Sequence, residues 1–446
     1  MINDTICAIA SPHGTGAIGI VRISGDKSLD ILSKVFESTA IYQDRVMRHG
    51  FIIANKKRID EVMAVGFSDD KTYTGEQAVE IYPHGGKVAM MGVLAAVLDA
   101  GAKLAEPGQF TKRAFINGKM DLSEAEAVMD FIGSISKTAA KNSFSQLEGI
   151  LSKKIMVMQN KLTDILASIE AGIEYPEEDL EDGIKKSATP VIVSLVDEGQ
   201  KLMETFESGK YIKEGFNVAI IGKPNVGKSS LLNALLGKEK AIVTDVAGTT
   251  RDVIEEAFEI KGLPVRYYDT AGIHESEDLV ESIGVDRSKK TIEHADLVLF
   301  VCDTSKELDE KDDLIHEIVK DKSVLVVGNK ADKKEIDIHY PIEDKVYTCA
   351  IEADGVSELE EAIYNIAIKD KEKIEGVMIT NERHRQVLSN FIKSLNASLK
   401  AFNIGMDLDC VAIDIKDAWR YLGEITGVTV SQEIIDRIFE KFCLGK

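Results

Sequence analysis

Gly222-Lys-Pro-Asn-Val-Gly227-Lys228-Ser229 has the spacing of a loop that wraps phosphates. Its glycines let successive backbone N–H groups converge on an anion. Lys228 would neutralise the terminal phosphates, and the Ser229 hydroxyl would ligate magnesium. Tyr268-Asp269-Thr270-Ala271-Gly272 adds a carboxylate near the magnesium and a glycine N–H that can sense the terminal phosphate. Asn329-Lys330-Ala331-Asp332 decides the base: Asp332 can accept two hydrogen bonds, from N1 and the exocyclic amino group of guanine, and adenine offers no such donor pair. Cys349-Ala350-Ile351 stands where a base-contacting loop would follow the next strand, with Cys349 itself packing. Between these motifs runs Thr244-Asp245-Val246-Ala247-Gly248-Thr249-Thr250, where Thr250 would complete the magnesium shell as a switch residue that orders only with the γ-phosphate. Asn225, Val226, Gly227, Lys228, Ser229 and Ser230 complete the expected GTP contacts.

The residue after Gly272 is Ile273, not the glutamine that positions water in many GTPases. Motif order and this departure resemble the potassium-dependent GTPases. That resemblance implies that Asn225 holds a monovalent cation against the phosphates, joined by Thr244, the Val246 carbonyl and Thr249. The cation would offset developing negative charge as an arginine finger does. Glu281 matches the water-orienting glutamate of those enzymes; by its residues alone it reads equally as a surface helix position.

These motifs need a scaffold. Phe216–Ile221 is a buried-strand run leading into the phosphate loop, Leu231–Leu236 is helical, and strands alternate with helices to about residue 371, the pattern of an α/β domain with a parallel sheet. Residues 1 to about 116 mix short apolar runs (17–23 and 61–67) with one helical pattern, Lys87–Leu98, and read as α+β; Gly85-Gly86 and Glu106-Pro-Gly-Gln109 bound elements. From Ser123, apolar residues recur every three to four positions, predicting long amphipathic helices. They stop at an acidic break, Glu174 to Gly183, read as a solvated loop rather than a metal site. Val191–Phe206, Glu382–Phe402, Val411–Leu422 and Ser431–Phe442 are helical again. The simplest topology is a helical domain interrupted by an inserted nucleotide-binding domain, which the closeness of domain termini tolerates.

The chain has 446 residues, enough for two or three cores. Its longest apolar runs are strand-sized, well short of the roughly 18 residues a membrane span needs. No basic segment leads into an apolar one at the N-terminus, so a cytoplasmic location is expected. Five cysteines without a C-x-x-C pair argue against a zinc ribbon or disulfide framework. A net charge of -21 argues against a broad basic face for nucleic acid or anionic membrane. Residues 1 to 116 carry equal numbers of acidic and basic side chains, so the excess acid lies beyond them and the chain reads as separate modules.

As a whole the chain resembles the bacterial tRNA-modification GTPases of the MnmE (TrmE) family. Outside the GTPase motifs its signatures are Glu106-Pro-Gly-Gln-Phe-Thr-Lys-Arg-Ala-Phe-Ile-Asn-Gly-Lys119-Met-Asp-Leu, Tyr175-Pro-Glu-Glu-Asp and the terminal Cys443-Leu-Gly-Lys446. Family members more often have isoleucine after that cysteine. The resemblance implies a tetrahydrofolate-binding, dimerising domain over residues 1–117, a discontinuous helical domain over 118–212 and 373–446, and an inserted G domain over 213–372. It implies a homodimer that joins the flavoprotein MnmG, which carries FAD, in a heterotetramer. That complex adds a carboxymethylaminomethyl or aminomethyl group to the wobble uridine of certain tRNAs, with formyl- or methylene-tetrahydrofolate as one-carbon donor. Carried over by position, Arg22, Glu80, Lys119 and Lys446 would contact the folate; without the family, Arg22 and Lys119 read equally as surface charges. Cys443 is the wrong context for a prenylation box and reads either as a packed cysteine or as a functional thiol near the folate. A ribosome-assembly or signalling GTPase acting as a binding switch is the competing reading, and a one-carbon transfer enzyme regulated by GTP a third. The first would bring a basic RNA-binding domain or a second G domain, and the sequence has neither.

Overall fold

The computed structural model describes residues 4–12, 14–39, 41–175, 181–238, 256–269, 292–333, 344–368 and 376–446, with the backbone alone at Lys238, Glu256, Ala257 and Asp269. The chain divides into two compact units, one of residues 1–129, 146–184 and 401–446 and the other of residues 130–145 and 185–400.

The first unit is built on a seven-stranded sheet of order β3-β4-β5-β6-β2-β1-β7. Its strands are β1 (Ile6–Ile9), β2 (Val21–Ser24), β3 (Phe36–Glu37), β4 (Arg48–Ala54), β5 (Lys57–Phe67), β6 (Ala78–Tyr82) and β7 (Lys103–Leu104). Strand alternation divides its faces. Val21, Ile23, Val79 and Ile81 join a buried core with Ile31, Leu32, Val93 and Val97 from the helices Ser28–Val35 and Lys87–Asp99. Arg22, Ser24, Ala78 and Glu80, the alternate set, are left for other work; the pairing registers Arg22 against Glu80 and Ser24 against Ala78. Two helices of this region, Ser28–Val35 and Gln109–Ile116, were not expected from the sequence. Two turns are too short for a helical period to stand out. The helices Ile150–Glu174 and Leu408–Thr426 pack together, and the Gln159 amide donates to the Trp419 carbonyl at 3.2 Å.

The chain's last residues return to the first sheet. Gly445, at φ 89°, lies where a Cβ would come within 2.3 Å of the Ile9 carbonyl oxygen, so only glycine lets the tail pass there. The Phe110 N–H then donates to the Lys446 carbonyl at 3.1 Å.

The second unit holds a six-stranded sheet of order β13-β12-β11-β8-β10-β9. It is parallel through β10 (Leu263–Asp269), β8 (Phe216–Ile221), β11 (Leu297–Asp303), β12 (Val324–Asn329) and β13 (Lys345–Thr348), with β9 (Glu256–Ile260) antiparallel at the edge. β8 and β11 are buried on both faces, which is why they read as continuous apolar runs rather than alternating ones. The expected inserted α/β fold is present.

The acidic break is shorter than expected. The second long helix spans Glu181–Glu204, starting ten residues before the predicted Val191 and running through Pro190. Glu181 and Asp182 occupy its first turn, where carboxylates complement the helix dipole. Pro190 and Gly183, both helix breakers by propensity, hid this start. Among the described residues no group of His, Cys, Asp and Glu could hold a metal ion, and no helix is long and apolar enough to cross a membrane.

Candidate functional site

Strand β8 delivers the chain into the phosphate loop, and the helix Lys228–Lys238 leaves it. The loop is gripped from behind at successive residues. The buried Asn329 side chain donates its amide to the Val226 carbonyl at 2.8 Å, while its own oxygen accepts from the Ala350 N–H at 3.2 Å and the Thr348 hydroxyl at 3.3 Å. One asparagine thus ties the phosphate loop to the segment Cys349–Ile351. Gly227, at φ 98°, permits this: a Cβ there would lie 2.2 Å from the Asn329 amide nitrogen.

The Lys330 ammonium donates to the Asn225 carbonyl at 2.7 Å and to Asp303 Oδ2 at 2.6 Å. Burial alone would raise the Asp303 carboxyl, but its bonds from Lys330 and from the Ser305 hydroxyl and N–H outweigh that and hold it below the usual aspartate range. Lys223 reaches the other way, to Asp309 and to the buried Asp312, which cap the helix Glu310–Val319. Burial would lower the Lys223 ammonium; those two carboxylates reverse the sign and raise it above the ordinary lysine value. The Lys228 ammonium donates to the carbonyls of Gly222 and Lys223, each at 2.9 Å.

The structure therefore brings together Asn225, Val226, Gly227, Lys228, Asn329, Lys330 and Ala350. Ser229 and Ser230 are exposed on the first turn of the following helix. Asp332 is exposed three residues after Asn329; Cys349 is buried, as its packing role requires, and Ile351 is exposed. Asp269 ends β10, its backbone paired with Ile220 of β8. Thr244, Asp245, Val246, Ala247, Gly248, Thr249, Thr250, Thr270, Ala271, Gly272, Ile273 and Glu281 lie outside the described residues. Sequence reasoning missed Lys223, Asp303, Asp309 and Asp312. The one available signal was Asp303-Thr-Ser305 at the end of an apolar strand.

A second site lies on the free face of the first sheet. A cavity of about 240 Å³ is lined by residues that include Arg22, Ser24, Phe67, Tyr73, Thr74 and Glu80. Arg22 makes two bonds to Glu80 Oε1, at 3.0 and 2.9 Å, and Tyr82 donates its hydroxyl to Glu80 Oε2 at 2.5 Å. The Arg22 guanidinium stands 5.8 Å from the Tyr73 ring centre and 5.9 Å from that of Phe110. The Lys446 ammonium lies 6.0 Å from the Tyr73 ring. Burial first, then the Arg22 charge, push Lys446 below the ordinary lysine value, while Cys443 and Glu80 pull it back. Arg22, Glu80 and Lys446 thus meet at Tyr73. Lys119 packs its stem against Gly75 and donates to the Asp70 carbonyl at 3.2 Å, beside the same loop. Cys443 is exposed, which removes the packed reading.

The signature running from Glu106 acquires physical roles here. In the helix Gln109–Ile116, Phe110 lies beneath Arg22, Thr111 pairs its hydroxyl with that of Tyr73 at 2.9 Å, and the buried Arg113 donates to Glu76 and Asp4. Just beyond it, Asn117 donates to the Thr74 carbonyl at 2.7 Å. The motif is the support that holds the loop Tyr73–Glu76 against the cavity.

Residues 5–119 match the family model described as GTP-binding protein TrmE N-terminus, and residues 122–443 match MnmE helical domain. Three relatives share the name tRNA modification GTPase MnmE. That of Alkaliphilus oremlandii is 44% identical over 100% of both chains. That of Acetivibrio thermocellus is 43% identical over 99% of both, and that of Clostridioides difficile 44% identical over 100% of both. Among solved structures, Aquifex aeolicus Era bound to GDP and AlF4− is 29% identical, covering 40% of this chain and 66% of its own, at a TM-score of 0.28. With full-length identity at this level and both family models matched, the chain belongs to the MnmE family of tRNA modification GTPases.

Proposed function

We propose that this chain hydrolyses GTP with magnesium and potassium and, with the flavoprotein MnmG, adds a carboxymethylaminomethyl or aminomethyl group to the wobble uridine of certain tRNAs. The one-carbon unit comes from formyl- or methylene-tetrahydrofolate. The working unit is a homodimer through the N-terminal domain, joined to MnmG in the cytoplasm. The observation that carries the nucleotide half is the Asn329 bridge, which fastens a phosphate loop to the segment beside Asp332. The names of the full-length relatives support the tRNA half.

Lys228 and the loop N–H groups bind the phosphates, and Asp332 reads guanine, with Lys330, Ala350 and Ile351 beside it. Ser229, an exposed hydroxyl on the first helical turn, suits magnesium as a hard oxygen donor, with Thr250 as its partner. Asn225 suits potassium: it is exposed, held at φ 65°, and among the described residues its side-chain amide has no hydrogen bond. Thr244, Val246 and Thr249 would complete that shell. Potassium supplies positive charge where negative charge develops on the phosphates. Glu281 orients the attacking water. Arg22, Glu80, Lys119 and Lys446 hold the folate, and Cys443 is a thiol at its edge. The cavity, about 240 Å³, is smaller than the roughly 300–1,000 Å³ typical for drug-sized ligands, so part of a folate would lie outside it.

Phosphate release from GTP by the full chain, measured in potassium against sodium chloride, tests the nucleotide half. The reading predicts a rate roughly a hundredfold higher in potassium and loss of that response in Asn225→Ala. Equal rates in the two salts overturn it. For the folate half, Arg22→Ala weakens 5-formyltetrahydrofolate binding by calorimetry, and unchanged affinity refutes the assignment.

A further inference from the structure

Three lysines meet at the phosphate loop: Lys228 donates to the carbonyls of Gly222 and Lys223, while Lys223 and Lys330 are each paired with carboxylate. Lys223 is neutralised by Asp309 and Asp312. Lys330 presents a harder problem, because its ammonium donates directly to the backbone carbonyl of Asn225. A second cation held by the same residue would be repelled by it. Asp303 accepts from the same ammonium at 2.6 Å, its side chain 9% exposed and fixed by the Ser305 hydroxyl at 2.6 Å and N–H at 3.0 Å.

We infer that Asp303 sets the monovalent-cation affinity of the phosphate loop by neutralising Lys330, so that Asn225 can accept a second positive charge beside the first. This rests on the potassium reading above and assigns a residue that no motif contains. Asp303 touches neither nucleotide nor cation; it acts through Lys330 and is a positioning residue. The geometry separates two contributions. Ser305 holds Asp303 in place and contributes no charge, whereas the carboxylate supplies the charge. Replacing Asp303 by Asn preserves shape and an acceptor toward Lys330 while removing the neutralising charge. Replacing it by Glu keeps the charge.

The test uses the full chain with GDP, magnesium and aluminium fluoride, and follows the melting temperature as potassium chloride is raised with choline chloride holding the ionic strength constant. GTP turnover is followed over the same series. The potassium concentration at half effect is the quantity read, because a merely structural defect lowers the melting temperature or turnover without moving that midpoint. In Asp303→Asn both midpoints rise on the order of tenfold to a hundredfold, the scale of one uncompensated charge at this range. In Asp303→Glu and Ser305→Ala they stay near the wild-type value. If wild type responds to potassium and Asp303→Asn has the same midpoints, the inference is wrong and the potassium reading stands. If wild type shows no potassium response in either readout, the potassium reading falls, and the role of Asp303 with it.

Discussion

The Asn329 side-chain amide donates to the Val226 carbonyl at 2.8 Å across 103 residues of sequence, and the missing side chain of Gly227 is what lets it approach. Asn329 is 2% exposed, so each of its bonds is made out of water, where an abandoned partner costs most. Asn329→Ala leaves the Val226 carbonyl and the Ala350 N–H without this partner. A loss of about 1–3 kcal/mol predicts GTP binding weakened by roughly five- to 150-fold in a fluorescent-nucleotide titration. Gly227→Ala fails by the opposite route, through a methyl placed on the amide itself and a left-handed backbone, and is expected to bind GTP no better. An affinity within twofold of wild type in either variant contradicts this account of the loop.

Lys223 anchors the leading end of the same loop. Its partner Asp312 is 1% exposed, and one of its oxygens, Oδ1, has no hydrogen-bond partner. Lys223→Ala strands that carboxylate, and removing one member of a buried pair typically destabilises by about 3–5 kcal/mol. Because Lys223 is itself partly open to solvent, about 2–3 kcal/mol is expected here, with Lys223→Arg recovering most of it. Denaturant melts of the three proteins check this. Equal midpoints for Lys223→Ala and wild type would show that the pair contributes little.

The five cysteines separate by environment. Burial pushes the Cys7 and Cys302 thiols up to about 12, and Cys349 is also buried, whereas Cys410 and Cys443 are exposed. Since the thiolate is the reactive form, native protein treated with iodoacetamide is expected to label Cys410 and Cys443 from pH 7 to pH 9. Cys7 and Cys302 then label only after unfolding, and raising the pH within that window does not expose them. Peptide mapping by mass spectrometry reads the outcome, and labelling of Cys7 in the native state at pH 8 runs against it.

What could be read from the residues divides along a physical line. The phosphate loop and Asn329–Asp332 are legible because their chemistry is local: one short segment carries its own glycines, cation and acceptor. β8, β11 and β12 are legible because burial on both faces leaves an unbroken apolar run. Lys223 with Asp309 and Asp312, Lys330 with Asp303, and Arg22 with Glu80 each join residues 27 to 89 positions apart. Nothing local marks such pairs. Family likeness names Arg22 and Glu80 only as separate folate contacts; their pairing, through a shared register on one sheet face, appears only once β2 is seen beside β6. The helix start at Glu181 was hidden for a different reason: tertiary packing outweighed the propensities of Gly183 and Pro190.

The most direct test of the central claim is the nucleoside composition of total tRNA, read by liquid chromatography and mass spectrometry. Cells lacking the gene are compared with the same cells carrying either the wild-type chain or Lys228→Ala. The account predicts that the carboxymethylaminomethyl or aminomethyl group disappears from wobble uridine without the gene, returns with the wild-type chain, and does not return with Lys228→Ala. Persistence of the modification in cells lacking the gene would contradict it.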